Sequence, residues 1–279
     1  MRDKLILLVL AVLLTANGTA FDLGLGSERA AVIQLSGPIT PTASGFSSGI
    51  TPEEVRELNH RARQMDAEAI VYEINSGGGA VVASKEAMRA IENVDVPTVC
   101  RLRDLGASGA YLLSLGCDRI VADSATLTGS IGVKSSYLEF SGLLRRHGIQ
   151  YVNITAGRYK DTGSRYMNLT EGEKEMLKQK IERIHAQFLE LVDEERNLTA
   201  EQLETVRTGE AFLGSRAKEL GLVDRLGGRE TAFNVAENMT GKDLVFNVVE
   251  RESGFSFLSF LSSSVSLDFS QSAFSSVYR

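Results

Sequence analysis

An α/β fold is what this sequence predicts, and three observations predict it. Short runs of branched and aromatic apolar residues alternate with longer segments whose apolar residues recur at helical spacing. Helix-start signals fall between those runs rather than inside them. Glycine-rich or polar turns close several of the runs, as strand ends require. Strands separated by helices imply βαβ units, and hence a sheet or spiral covered by helices.

The elements follow in order. Met1-Arg2-Asp3-Lys4 is basic, Leu5 to Leu14 is apolar without a break, and Gly18-Thr19-Ala20 supplies small residues. This pattern over 1–20 is that of a secretory signal peptide cleaved after Ala20, or of a signal anchor that is kept. Ala30 to Leu35 reads as a buried strand, and a polar Thr/Ser/Gly loop continues to Gly49. Thr51-Pro52-Glu53-Glu54 joins a capping box to a proline at the first helical position, predicting a helix to Gln64. A strand over Ala69 to Ile74 ends at Gly77-Gly78-Gly79, and a helix over Ala83 to Asn93 follows. Pro97 to Leu102 is the next strand, Ala107 to Leu115 a helix and Arg119 to Ala122 a short strand. Tyr137 to His147 reads as a helix and Gln150 to Thr155 as a strand. Capping boxes at Thr170 and Thr199 open two further helices, the first long, with Leu177, Ile181, Ile184, Phe188, Leu191 and Val192 as its apolar stripe. One folded region over 30–253 is thus expected, followed over 254–279 by a poorly ordered tail of serines interleaved with phenylalanines.

Composition narrows the function. The net charge is −6, with no basic stripe carrying aromatics, so nucleic acid is not an expected partner. Three histidines lack metal-ligand spacing, which argues against zinc. Cys100 and Cys117 each lie in or beside an apolar run and read as small buried residues rather than as a disulfide.

Chemistry concentrates in three places. Ser108 stands among small residues in Gly106-Ala107-Ser108-Gly109-Ala110, where a predicted helix begins. The glycine turn at Gly77 to Gly79 could present N–H groups to an oxyanion; it lacks the spacing of a phosphate-binding loop or a dinucleotide fingerprint. Lys160, in Gly157-Arg158-Tyr159-Lys160-Asp161, can act as a base only when uncharged, which burial beside apolar atoms favours. Ser130 carries a hydroxyl able to hold such an amine. Serine, glycine turn and lysine are the parts of a Ser–Lys hydrolase.

These residues also carry a resemblance. Ile74 to Gly79, Ala107 to Tyr111, Thr128 to Val133, Ala156 to Asp161 and Ala217 to Asp224 match, in order and spacing, the signal peptide peptidase SppA family of serine peptidases. The resemblance covers about Ala30 to Glu237 and implies the ClpP/crotonase fold, a repeated ββα spiral with a helical C-terminal part. It also implies Ser108 as nucleophile, Lys160 as general base and Ser130 as the lysine's partner. Gly78 and Gly109 would be oxyanion donors, with Gly79 shaping the turn; which glycine donates stays open. Two departures stand out: Gly77 replaces the family's usual proline, and Ala110 its usual glycine. One copy of each motif marks a short member, and short members form rings in which neighbouring subunits complete each other's sites.

The expectation is therefore a membrane-associated endopeptidase, its catalytic region outside the cytoplasm or secreted, cleaving residual signal peptides or other hydrophobic peptides. No metal or organic cofactor is required. Rival readings are a crotonase-like acyl-CoA enzyme, a Ser-His-Asp peptidase using His147 or His185, and a non-catalytic membrane scaffold.

Overall fold

The computed structural model describes residues 28–42 and 49–250. The leader, the whole Ser/Phe-rich tail and the centre of the Thr/Ser/Gly loop lie outside them. Among the described residues the sheet begins with β1 (Glu28–Ser36), β2 (Ala69–Ser76) and β3 (Thr98–Ala107), paired in parallel. β8 (Leu244–Val249) lies parallel to β1 at the other side. β3 serves two partners. Its first half pairs with β4 (Arg119–Ala122) and its last residues with β5 (Leu127–Gly129). The β2–β3 register slips between Ile74 and Ser76, opposite the stretch where β3 passes from one partner to the other. β6 (Ala211–Leu213) runs antiparallel to β5, and the two-residue β7 (Arg225–Leu226) parallel to β4. This strand–helix repetition is the predicted spiral.

Helices α1 (Pro52–Gln64), α2 (Val81–Glu92) and α3 (Gly109–Ser114) bury one face of the sheet. Thr51 Oγ1 accepts from the Glu54 N–H, and Pro52 opens α1 as its sequence requires. Val55, Leu58 and Ala62 point inward with Ile33, Leu35, Tyr72 and Ile74. α8 (Arg229–Thr240) covers the opposite face, where Ala232 and Ala236 meet Val71, Val99 and Val121. Glu73 lies fully buried on that face, held by Arg101 Nη1 at 2.7 Å and by Arg229 Nε at 2.8 Å.

Four details differ from the sequence reading. Cys100 and Cys117 form a disulfide, because β3 and the turn after α3 bring their Cα atoms to 5.7 Å. Gln150 to Thr155 forms no strand: among the described residues no partner strand pairs with it, and Val152 and Ile154 are 76% and 94% exposed. The helix read from Tyr137 shrinks to α4 (Ser141–Arg146), and that read from Ala107 begins only at Gly109. The long helix α5 (Glu171–Arg196) is present with its full capping box, but only Phe188, Leu189 and Val192 are buried. Its first half leaves the core, and residues 149–160 earlier in the chain are exposed throughout. The shorter helices α6 (Ala200–Val206) and α7 (Gly214–Glu219) lie between α5 and β7 in the chain. No described helix is long and apolar enough to cross a membrane.

Candidate active site

Three neighbouring strands deliver the candidate residues to one cleft of about 770 Å³. β2 runs into Gly77 to Gly79, β3 into Ser108 and β5 into Ser130, and all of these line it. In parallel sheets ligand sites form at such carboxyl ends. Val81, Leu112, Val133, Ile184 and Phe188 give the cleft an apolar wall.

Ser108 turns the chain from β3 into α3 with φ 55° and ψ −124°. A non-glycine residue in this region stores about 1–3 kcal/mol, a strain that concentrates at functional positions. The turn is fixed on both sides: the Ser108 N–H donates to Gly129 O at 2.8 Å, and Ser108 O accepts from the Leu112 N–H at 3.0 Å. The first contact ties the serine to the residue preceding Ser130. Ser130 itself has φ 49° and donates its N–H to Glu210 O at 2.8 Å.

The glycine turn presses against the serine turn. Gly78 has φ 91°, and a Cβ there would lie 2.5 Å from Gly109 N; one on Gly79 would lie 2.0 Å from Ile39 O. Only glycine fits either position. The Gly78 N–H donates to Ser76 Oγ at 3.1 Å. By contrast, the N–H groups of Gly79 and Gly109 make no hydrogen bond among the described residues, and both residues line the cleft. Two unpaired donors beside a serine hydroxyl have the composition of an oxyanion hole. The Ala110 methyl is buried in the core and does not line the cleft, so this departure leaves the site unobstructed.

Lys160 stands apart. It occupies an exposed turn closed by its N–H to Gly157 O at 3.1 Å, and it is not among the residues lining the cleft. Its surroundings are the polar contact of Asn153 Nδ2 with Asp161 Oδ2 at 2.6 Å and the Arg158 guanidinium 5.1 Å from the Tyr159 ring centre. One chain alone does not join the lysine to the serine.

Two further residues line the cleft: His185, which the sequence offers only as the base of a rival Ser-His-Asp peptidase, and Lys134, which the sequence reading did not single out. His185 donates from Nε2 to Ile131 O at 2.9 Å, pinning the segment after Ser130 onto α5. Its place between Ile184 and Phe188 on the helix stripe was the available signal. With Nε2 engaged and no carboxylate lining the cleft among the described residues, the arrangement of a Ser-His-Asp triad is missing. Lys134 lines the mouth and is exposed.

The segment Ala217 to Asp224 braces the site from behind. Tyr111 Oη, buried on α3, donates to Leu222 O at 2.9 Å. Arg196 at the end of α5 grips both Asp224 oxygens at 2.8 and 3.0 Å, while Asp224 Oδ2 accepts the Ile120 N–H at 2.7 Å. Burial alone would raise the Asp224 carboxyl, but the Arg196 and Ile120 hydrogen bonds outweigh it and hold it below its ordinary value.

The spiral of ββα units and the serine beside two free N–H groups define a serine peptidase of the ClpP/crotonase fold. The profile of peptidase family S49 matches residues 91–243, and the chain belongs to that family. A Methanocaldococcus jannaschii protein bearing a provisional protease name is 32% identical over 228 residues, which span 78% of this chain and 73% of that protein. An Enterococcus faecium protein provisionally named signal peptide peptidase SppA is 30% identical over 213 residues, spanning 73% of this chain but 61% of its own length. The solved 1510-N membrane-bound stomatin-specific protease superposes with a TM-score of 0.54 over 82% of this chain and 100% of its own, at 13% identity, and so shares its fold.

Proposed function

We propose that this chain is a membrane-surface endopeptidase whose active sites are completed between copies. Ser108 attacks the scissile carbonyl, the Gly79 and Gly109 N–H groups hold the oxyanion, and Gly78 gives the close approach between the two turns. Lys160 of a second copy enters the cleft, takes the hydroxyl proton, donates it to the leaving amine and then activates water for deacylation. Ser130, adjoining the Ser108 N–H acceptor, holds the incoming amine. The apolar wall of Leu112, Ile184 and Phe188 excludes water and favours the uncharged amine there.

The observation that carries this reading is the strained Ser108 turn beside unpaired Gly79 and Gly109 donors. Delivery of Lys160 in trans rests on its exposed position and its company: Leu138, Leu143, Val152, Ile154 and Tyr166 are all exposed on residues 138–166. So much uncovered apolar surface in one excursion marks an interaction site. The substrate class follows from the same wall, which suits hydrophobic peptides such as residual signal peptides. A disulfide and the leader pattern favour a location outside the cytoplasm, at the membrane or secreted.

A serine-directed phosphonylating reagent should label Ser108, and Ser108→Ala and Lys160→Ala should each abolish peptide hydrolysis. Mixing the two inactive variants should restore about a quarter of the native rate if subunits assort at random in a closed ring. Activity retained by Ser108→Ala would overturn the nucleophile; no recovery on mixing would overturn delivery in trans.

A further inference from the structure

We infer that Lys134 is a specificity residue which binds a carboxylate of the peptide, a reading that rests on the cleft being a peptide site. The chain carries a net charge of −6, yet no aspartate or glutamate lines the cleft among the described residues. Its lining holds two ionisable side chains, Lys134 and His185. His185 is committed to Ile131 O. Glu210, which touches this segment, does so through its backbone carbonyl to the Ser130 N–H. Lys134 makes no hydrogen bond or ion pair with any described residue. An exposed ammonium at the mouth of an acid-free cleft, within an acidic protein, is a local attractor for negative charge.

Its place in the chain sets the reach. Lys134 follows Ser130 by four residues of irregular backbone, pinned at Ser130 by Glu210 O and at Ile131 by His185. Four residues span at most about 14 Å. An extended peptide rises roughly 3.3 Å per residue, so the lysine reaches a carboxylate within about four residues of the scissile bond. The shared chemistry has two sources: an Asp or Glu side chain, or the free carboxylate of a peptide's own C-terminus.

The test uses the full chain and a neutral hydrophobic peptide, in versions with Glu or Gln at each of the four positions on either side of the cleaved bond. A second arm compares free-acid with amidated C-termini. The readout is the ratio of kcat/KM for each charged peptide to its neutral twin, which a general loss of rate does not move. At one position, or with the free C-terminus, the ratio should be about fivefold, as a partly exposed ion pair gives. It should fall to one in Lys134→Met and persist in Lys134→Arg. Ratios near one in the native chain, or unchanged in Lys134→Met, overturn the inference. So does loss of all turnover in Lys134→Met with neutral peptides, which would make the lysine catalytic instead. A native chain that cleaves none of the peptides overturns the peptidase reading, and this one with it.

Discussion

At Gly79 the backbone of one turn meets the backbone of another with no space between them. A β-carbon there would sit 2.0 Å from Ile39 O, a backbone atom that cannot swing aside as a side chain could. Gly79→Ala must therefore displace the turn, and with it the N–H that faces the Ser108 cleft. We expect hydrolysis to fall about a hundredfold or more, on the scale of a lost oxyanion donor. Unfolding in urea should show a smaller effect, and full activity in this variant would remove Gly79 from the oxyanion hole. That the glycine turn and Ser108 belong together was legible in the sequence, and the structure sets both in the lining of one cleft. What escaped was which amide is free. Gly78 differs from Gly79 only because Ser76 Oγ, two residues upstream, accepts its N–H. Lys160 shows the same limit on a larger scale: its motif was readable, while its separation from Ser108 within one chain depends on how residues 149–167 leave the core.

Among the elements, β3 bears most on the site, and the disulfide reinforces it. Cys100 lies within β3 and Cys117 beyond α3, 17 residues apart, so the closed loop contains the Ser108 turn. Cross-linking a loop of this length restricts the unfolded chain by about 3 kcal/mol. Cys117→Ser should lower unfolding stability by that order. It should also raise the hydrogen-exchange rate of α3 amides more than those of α1, since only the former sits inside the loop. Uniform loosening of both helices would argue against a local clamp. The pairing was hidden in the sequence because an apolar setting suits a free buried cysteine as well as a bridged one; what decides is a 5.7 Å separation created by the fold. Similar reasoning separates the elements read well from those misread. α1, α5 and α6 announce themselves through capping boxes or first-turn signals, which are local chemistry. Gln150 to Thr155 has a strand's composition but no neighbour to pair with, and β5 and β7 are too short for periodicity to register.

Across the whole molecule, two carboxylates tie distant segments together, and both make stability depend on acid. Glu73 on β2 joins Arg101 on β3 to Arg229 at the start of α8. Asp224 joins the end of α5 to β4 through Arg196 and the Ile120 N–H. Burial would raise each carboxyl, yet the arginine hydrogen bonds prevail and both lie below their ordinary values. A depressed carboxyl stabilises the fold at every pH above its unfolded value, and that contribution disappears as pH falls through its folded value. The urea midpoint should therefore stay flat from neutral pH to about 5 and drop below about 4, where free Asp and Glu begin to protonate. Glu73→Gln should lower stability at pH 7 by about 3 kcal/mol, since it leaves two arginines facing a neutral amide. The same variant should flatten the acid slope, because one proton uptake has been removed. Asp224→Asn should act likewise through its own partners, and the two effects should add, as the networks share no residue. If Glu73→Gln kept the native acid slope unchanged, the proton responsible would belong to another group, and the buried Glu73 cluster would be a packing feature rather than an electrostatic tie.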